Sequence, residues 1–283
     1  MEGEIFTDCE ETASRIFLLV ISKVILMPSV LPPEIEETIL DLLAEDDNGH
    51  SALKTCSLVC HAFLPICRKH IFGSIVLNDQ DVLSSPTPHP FERLLHETPE
   101  IADYIRKLDY IIRFARLTSP SIQESLKRIS RLEFLTVCCR MNWIKLDWRN
   151  NPIRPALLHL LHLPTLTHFK VSNVNNFVIS DLISCVNLKY LDIGVFTTVA
   201  AENAFPAAFP EHSIQPNEFI AGSGTSTVIM KLCTTRRPDG QPIIEFGSLS
   251  KITLDIQEPN EGEASQELFR RCHVLTNVNI FCK

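Results

Sequence analysis

Glycine is scarce in this chain, 9 of 283 residues, roughly 3% against a usual ~7%. Phosphate-cradling loops need glycine where backbone N–H groups approach the ligand. Neither GxGxxG nor GxxxxGK[ST] occurs, which excludes nucleotide enzymes of those two classes. Basic charge is also in deficit: Lys+Arg 26 against Asp+Glu 34 gives −8. A general nucleic-acid binder carries the opposite balance. The sequence holds no Asn-x-Ser/Thr glycosylation site, no Gly-x-Ser-x-Gly and no His-Glu-x-x-His, so it offers no hydrolase or metalloprotease motif.

A long apolar run is missing too. Ile16 to Met27 is twelve residues with Lys23 inside, whereas a membrane span needs about twenty. Glu2, Glu4, Asp8, Glu10 and Glu11 precede it, where a secretory signal carries positive charge. Residues 1–26 are therefore expected to be an unstructured or loosely helical leader, and a membrane partner is not expected. The ten cysteines are too dilute for a disulfide framework, and several lie in apolar periodic runs. They are expected to be reduced and buried, in the cytoplasm or nucleus.

What the chain does have is 45% hydrophobic residues in two kinds of pattern. Residues 28–78 hold three basic and seven acidic side chains, and residues 101–155 hold eleven basic and five acidic. Ser84 to Pro90 packs three prolines into seven residues and marks the expected domain boundary. In the first segment Pro32 and Pro33 open a helix, with Glu34, Glu36 and Glu37 at its positive end. Ile35, Ile39 and Leu43 form its apolar stripe, widened by Leu40 and Leu42. Gly49 is expected to supply a left-handed C-cap, and Ser51 to cap a second helix running through Leu53, Cys56, Val59, Cys60 and Phe63 until Pro65 breaks it. That second helix is apolar almost all round, so another protein or domain is expected to cover it.

The ordered set Leu31-Pro32-Pro33-Glu34, the Ile/Leu stripe, Cys56-Ser-Leu-Val-Cys60, Phe63 and Phe72 before an alternating strand resembles an F-box of the kind abundant in mushroom-forming fungi. The likeness covers residues 27–78; F-boxes often carry Trp where this chain has Phe63. The segment from His89 to Leu108 resembles what such fungal proteins place after the box, so 79–100 reads as linker and connecting helix. The resemblance implies a substrate-recognition adaptor of an SCF-type cullin–RING ubiquitin ligase, not itself an enzyme. It implies a Skp-family adaptor as partner, and through it a cullin. The implied docking residues are Leu31, Pro32, Pro33, Glu34, Ile35, Ile39, Leu40, Leu43, Leu53, Cys56, Leu58, Val59, Cys60 and Phe63.

Over residues 101–283 an L-x-x-L-x-L pattern recurs at Ile105/Leu108/Tyr110, Leu132/Leu135/Val137, Leu166/Phe169/Val171, Leu188/Leu191/Ile193, Leu249/Ile252/Leu254 and Leu275/Val278/Ile280. The first positions stand 27, 34, 22, 61 and 26 residues apart, and leucine-rich repeats run about 20–29. Helical patterns fall at Ser121–Ser130, Asn151–Leu163, Val178–Cys185 and Ala264–Arg271. The expectation is an α/β protein: a small three-helix F-box followed by an irregular leucine-rich-repeat-like α/β solenoid. Its interval at about 200–247, rich in Pro and Gly, is expected to be an irregular insertion. A scaffold of repeats without a ligase role is the alternative.

Such a solenoid suits a protein substrate better than a small molecule. Within the basic stretch, Arg113, Arg140, Trp143 and Trp148 are the candidates for gripping an acidic peptide, against the plainer expectation of tryptophans in the core. Cys56, Cys60, Cys67 and His70 are side chains of the kind that bind zinc, but the spacing matches no usual finger and helix packing explains the thiols. No metal or other cofactor is expected. Gly222-Ser-Gly-Thr-Ser226 lacks the lysine of a phosphate loop and reads as a turn.

Overall fold

The computed structural model describes residues 32–46, 49–59, 61–78, 89–112, 120–140, 146–201, 205 and 210–282, and three short helices come first among them. They are α1 (Pro33–Glu45), α2 (Gly49–Cys56) and α3 (Phe63–Ile71). Pro33 begins α1, with Glu34 and Glu36 in its first turn, where a missing N–H loses no partner and negative charge meets the helix dipole. The expected second helix is instead divided. Pro65 does not end it but sits in the first turn of α3, the part of a helix that tolerates proline. Gly49 begins α2 rather than capping α1: a Cβ there would stand 1.8 Å from the Leu43 carbonyl oxygen, so close approach is what requires glycine.

These helices enclose a small core of Leu40, Leu53, Cys56 and Cys67, flanked by Leu43, Ala44, Phe63, Ile66 and Ile71. Lys69 reaches Glu37 at 3.2 Å and His70 reaches Asp41 at 2.6 Å, tying α3 to α1. The compact helical unit ends at Ile71, and a second unit begins at Phe72. The boundary therefore falls before the Pro-rich stretch expected to carry it, most of which lies outside the described residues, as does the leader.

The second unit is α/β. Its main sheet contains β1 (Ser74–Asn78), β2 (Lys107–Ile112), β3 (Phe134–Cys139), β5 (His168–Ser172), β7 (Tyr190–Ile193), β8 (Glu218–Ala221), β9 (Lys251–Ile256) and β10 (Asn277–Cys282). They lie in sequence order, each parallel to the one before. The strand expected to close the first segment, β1, is thus the first strand of the sheet. A short second ladder pairs β4 (Leu146–Asp147) with β6 (Val174–Asn175). Between strands run α4 (Pro90–Glu97), α5 (Pro120–Lys127), α6 (Arg154–Leu161), α7 (Ser226–Thr234) and α8 (Pro259–Phe269), with 3-10 turns at Pro99–Tyr104, Ile179–Leu182 and Phe246–Ser248.

One backbone device recurs at the entry to each strand after the first. The N–H groups of Arg106 and Lys107 both donate to Gly73 O, and those of Glu133 and Phe134 to Arg106 O. Successive carbonyls of Glu133, Thr167, Lys189, Asn217 and Ser250 each accept two N–H groups in the same way. This fixes one register across the sheet and satisfies backbone groups where the chain turns into a strand. Alternation then sorts side chains to two faces. Leu108, Leu135, Phe169, Leu191, Phe219 and Ile252 form one buried row, and Tyr110, Val137, Val171, Ile193, Ala221 and Leu254 another. Both rows join Leu95, Leu126, Leu157, Leu232 and Leu268 from the helices in one core.

The interval expected to be an irregular insertion contains a further unit of this kind. Phe219 and Ala221 lie in the buried rows, α7 follows, and Phe246 packs against Phe219 with ring centroids 5.7 Å apart. Its pattern begins with a buried Pro216 in place of leucine, which hides it from a leucine count. Arg237, buried, holds the loop before β8 through the carbonyls of Pro210, Glu211 and His212 and through Asp239 at 2.6 Å.

Candidate functional site

The residues between the leucine positions of each strand line the other face of the sheet. In register, the first of them are Ser74, Lys107, Phe134, His168, Tyr190, Glu218, Lys251 and Asn277. Three successive members are aromatic and stack along the sheet. Phe134 and His168 have ring centroids 4.0 Å apart with 23° between their planes, and His168 and Tyr190 are 5.3 Å apart with 28°, both pairs stacked. The next row on this face supplies Thr136, Lys170 and Asp192.

Three ion pairs lie on this face. Lys170 meets Asp192 at 2.6 Å, Lys107 meets Asp109 at 3.4 Å, and Lys251 meets Glu218 at 2.7 Å. Lys107, Phe134, Thr136, His168, Lys170 and Tyr190 border a shallow depression of about 210 Å³. Burial holds the His168 pKa below its ordinary value despite the opposing charges of Glu218 and Glu133. Burial, then Asp192 and Glu218, pushes the Tyr190 hydroxyl up to about 12. The lowered His168 pKa and the raised Tyr190 pKa both favour the neutral form of these rings.

Of the basic-stretch candidates, Trp148 is not on a surface. It is 1% exposed, and its Nε1 donates to Asp181 Oδ2 at 2.7 Å. Arg154 grips the same carboxylate at 2.7 Å, and the ring lies edge-on to Phe177 at 5.2 Å. A buried indole N–H needs a partner, so Trp148 belongs to the core. Arg140 is exposed beyond β3, and Arg113 and Trp143 lie outside the described residues. The sheet thus brings together Phe134, His168 and Tyr190, none of which stood out in the sequence. The signal was present as the variable positions of the repeated pattern.

The helical unit divides its candidates by exposure. Leu40, Leu53 and Cys56 are buried in its core, and Leu43 and Phe63 pack against them. Together they form and flank the small core of the unit. Pro32, Pro33, Glu34, Ile35 and Ile39 are exposed, Val59 is half-buried, and Leu58 is 87% exposed. Leu42, outside the candidate set, is 63% exposed. Leu31 and Cys60 lie outside the described residues. Of the α1 stripe, Leu40 and Leu43 turn to the core, while Ile35, Ile39 and Leu42 are exposed.

Cys56 and Cys67 are core residues and His70 pairs with Asp41. Among the described residues no group of three or more His, Cys, Asp or Glu side chains is placed to hold a metal. The Gly222–Ser226 loop has a partner already: the buried Glu261 carboxylate accepts the Gly224 N–H, together with those of Gln257 at 2.6 Å and Glu258 at 2.9 Å. His162 Nε2 lies 2.9 Å from Asp181 O and His159 Nε2 lies 3.3 Å from Ile129 O, which are structural contacts. No helix of the described residues is long and apolar enough to cross a membrane. No family model matches the chain, and no curated protein matches it.

Proposed function

We propose that this chain is the substrate-recognition subunit of an SCF-type cullin–RING ubiquitin ligase. In this reading the helical unit is an F-box that docks on a Skp-family adaptor. The sheet unit is an irregular leucine-rich-repeat-like solenoid that captures a protein substrate. The observation that carries the reading is the outward-turned apolar set Ile35, Ile39, Leu42 and Leu58 on a unit whose core is only a few side chains deep. Exposed apolar groups of that size on so small a unit are best accounted for by a partner. The sequential parallel sheet adds a second, separate surface, and the ladder Phe134–His168–Tyr190 is its substrate-contacting part.

The mechanism is scaffolding. Adaptor and substrate held on one chain raise the effective concentration of a substrate lysine near a ubiquitin donor carried elsewhere in the assembly. No side chain of this protein takes part in the chemistry, and the compartment implied is the cytoplasm or nucleus. The test is co-expression of the full chain with a fungal Skp-family adaptor, followed by size exclusion. A stoichiometric complex is expected, lost in an Ile39→Asp/Leu58→Asp double variant whose circular dichroism is unchanged. A soluble chain that ignores the adaptor overturns the ligase reading and leaves a protein-interaction scaffold.

A further inference from the structure

The open side of the sheet is electrically uneven. Lys107 on β2 and Lys170 on β5 stand on either side of β3. Both border the depression over the stacked rings, and its described lining residues include no Asp or Glu. Their carboxylate partners lie deeper. The side chains of Lys107 and Lys170 are 49% and 48% exposed, those of Asp109 and Asp192 only 23% and 5%. Glu133 and Glu218, whose charges reach His168, are matched by Arg106 at 3.5 Å and Lys251 at 2.7 Å. An ammonium group carries three donor hydrogens, and among the described residues one carboxylate pairs with each of the two lysines. Donors therefore remain for a ligand.

The rings act in the same direction. Phe134, His168 and Tyr190 stack along the sheet, so each turns an edge rather than a face to the open side. Ring edges carry the positive part of the aromatic quadrupole. A depression of about 210 Å³ with ammonium groups on two sides and positive edges beneath favours an anionic side chain. The chain as a whole carries −8, which repels a polyanion such as nucleic acid but leaves this local patch open to a single carboxylate. We propose that the sheet captures a polypeptide segment through an Asp or Glu side chain whose carboxylate seats between Lys107 and Lys170. This rests on the reading of the sheet as the substrate-capturing surface, and it specifies what the substrate must carry.

A phage-displayed library of random peptides, panned against the immobilised full chain, tests this. Enriched peptides should share an Asp or Glu, and changing it to Asn or Gln should weaken binding about tenfold by fluorescence anisotropy. Lys107→Gln/Lys170→Gln keeps an amide donor for Asp109 and Asp192. It should weaken the same peptides by a similar factor, with circular dichroism unchanged. Asp109→Asn, which releases Lys107 from its partner, should tighten them. The proposal is overturned by no enrichment, by peptides without a shared acid, by acidic peptides that bind the lysine variant as well as the parent, or by no tightening in Asp109→Asn. A Phe134→Ala/Tyr190→Ala variant separates this from the reading beneath it. Peptides that need the two rings but no acid overturn the acid alone, whereas peptides indifferent to the rings overturn the capturing face as well. Adaptor binding, measured separately through Ile39 and Leu58, is untouched by either result.

Discussion

The two units of this chain bury their apolar residues by different means. The sheet unit repeats one solution: a carbonyl that accepts two N–H groups, a strand whose alternate residues point inward, and a following helix or turn that closes over them. Each added strand extends a common core, so the inner rows are buried nearly completely. The helical unit has no repeat to extend. The four buried apolar side chains of its core sit among half-buried neighbours, and Ile35, Ile39, Leu42 and Leu58 are left outside. A core that grows by stacking needs no partner along its length, whereas an isolated unit of about forty residues rarely supplies more than a few kcal/mol.

Substitutions in the two cores sharpen this contrast most strongly. Phe169→Ala, at the centre of the sheet rows, should cost about 3–5 kcal/mol, and Leu53→Ala in the helical core about 2–5 kcal/mol. Denaturant unfolding followed by amide exchange should show Phe169→Ala lowering protection across several strands. Leu53→Ala should empty the protection of α1–α3 and leave the strands as they were. Loss of protection in both units from either substitution would break the comparison.

A smaller effect is expected at Glu261 in the first turn of α8, whose carboxylate accepts the Gly224 N–H of the Gly222–Ser226 loop. Burial works to raise this pKa, but hydrogen bonds from the backbone N–H groups of Gln257, Glu258, Gly224 and Thr225 outweigh it and hold it below 4.5. A carboxyl depressed on folding contributes stability that is present above its unfolded value and is lost as pH falls through the folded one. The parent should therefore lose more stability than Glu261→Gln on going below about pH 4.5. At neutral pH the variant should be weaker by about 1–3 kcal/mol. Equal acid sensitivity of the two proteins would place the carboxylate outside the loop in solution.

The smallest effect belongs to the open face. His168 has its pKa lowered by burial, so its NMR titration midpoint should lie below the ordinary 6.5. Protonation is then favoured by unfolding, and its contribution to stability declines as pH falls below that value. His168→Ala should change stability by about 1 kcal/mol or less, the scale of one aromatic pair. A midpoint above 6.5 would mean that Glu133 and Glu218, rather than burial, govern the ring.

Much of this was readable along the chain because the causes are local. Proline and acidic residues at Pro33–Glu36 fixed the start of α1. The alternation from Leu108 to Tyr110, and from Leu135 to Val137, fixed which residues face inward. The unit at Pro216, Phe219 and Ala221 escaped because burial at those positions tolerates proline and alanine, while a leucine pattern does not register them. For Trp148 the sequence left a peptide-gripping role beside the plainer expectation of a core residue, and composition could not choose between them. Asp181, 33 residues away, decides it by accepting the indole N–H.

The sequence alone determined the strand and helix periods, the spacing of the leucine pattern and the net charge of −8. Each of these depends on neighbours within a few residues. The tertiary structure decided the register that brings Phe134, His168 and Tyr190 together across gaps of 34 and 22 residues. It also decided which apolar side chains of α1 close the helical core and which remain outside. Those choices rest on packing between segments distant in the chain, where one residue of slip would send every side chain of a strand to the opposite face.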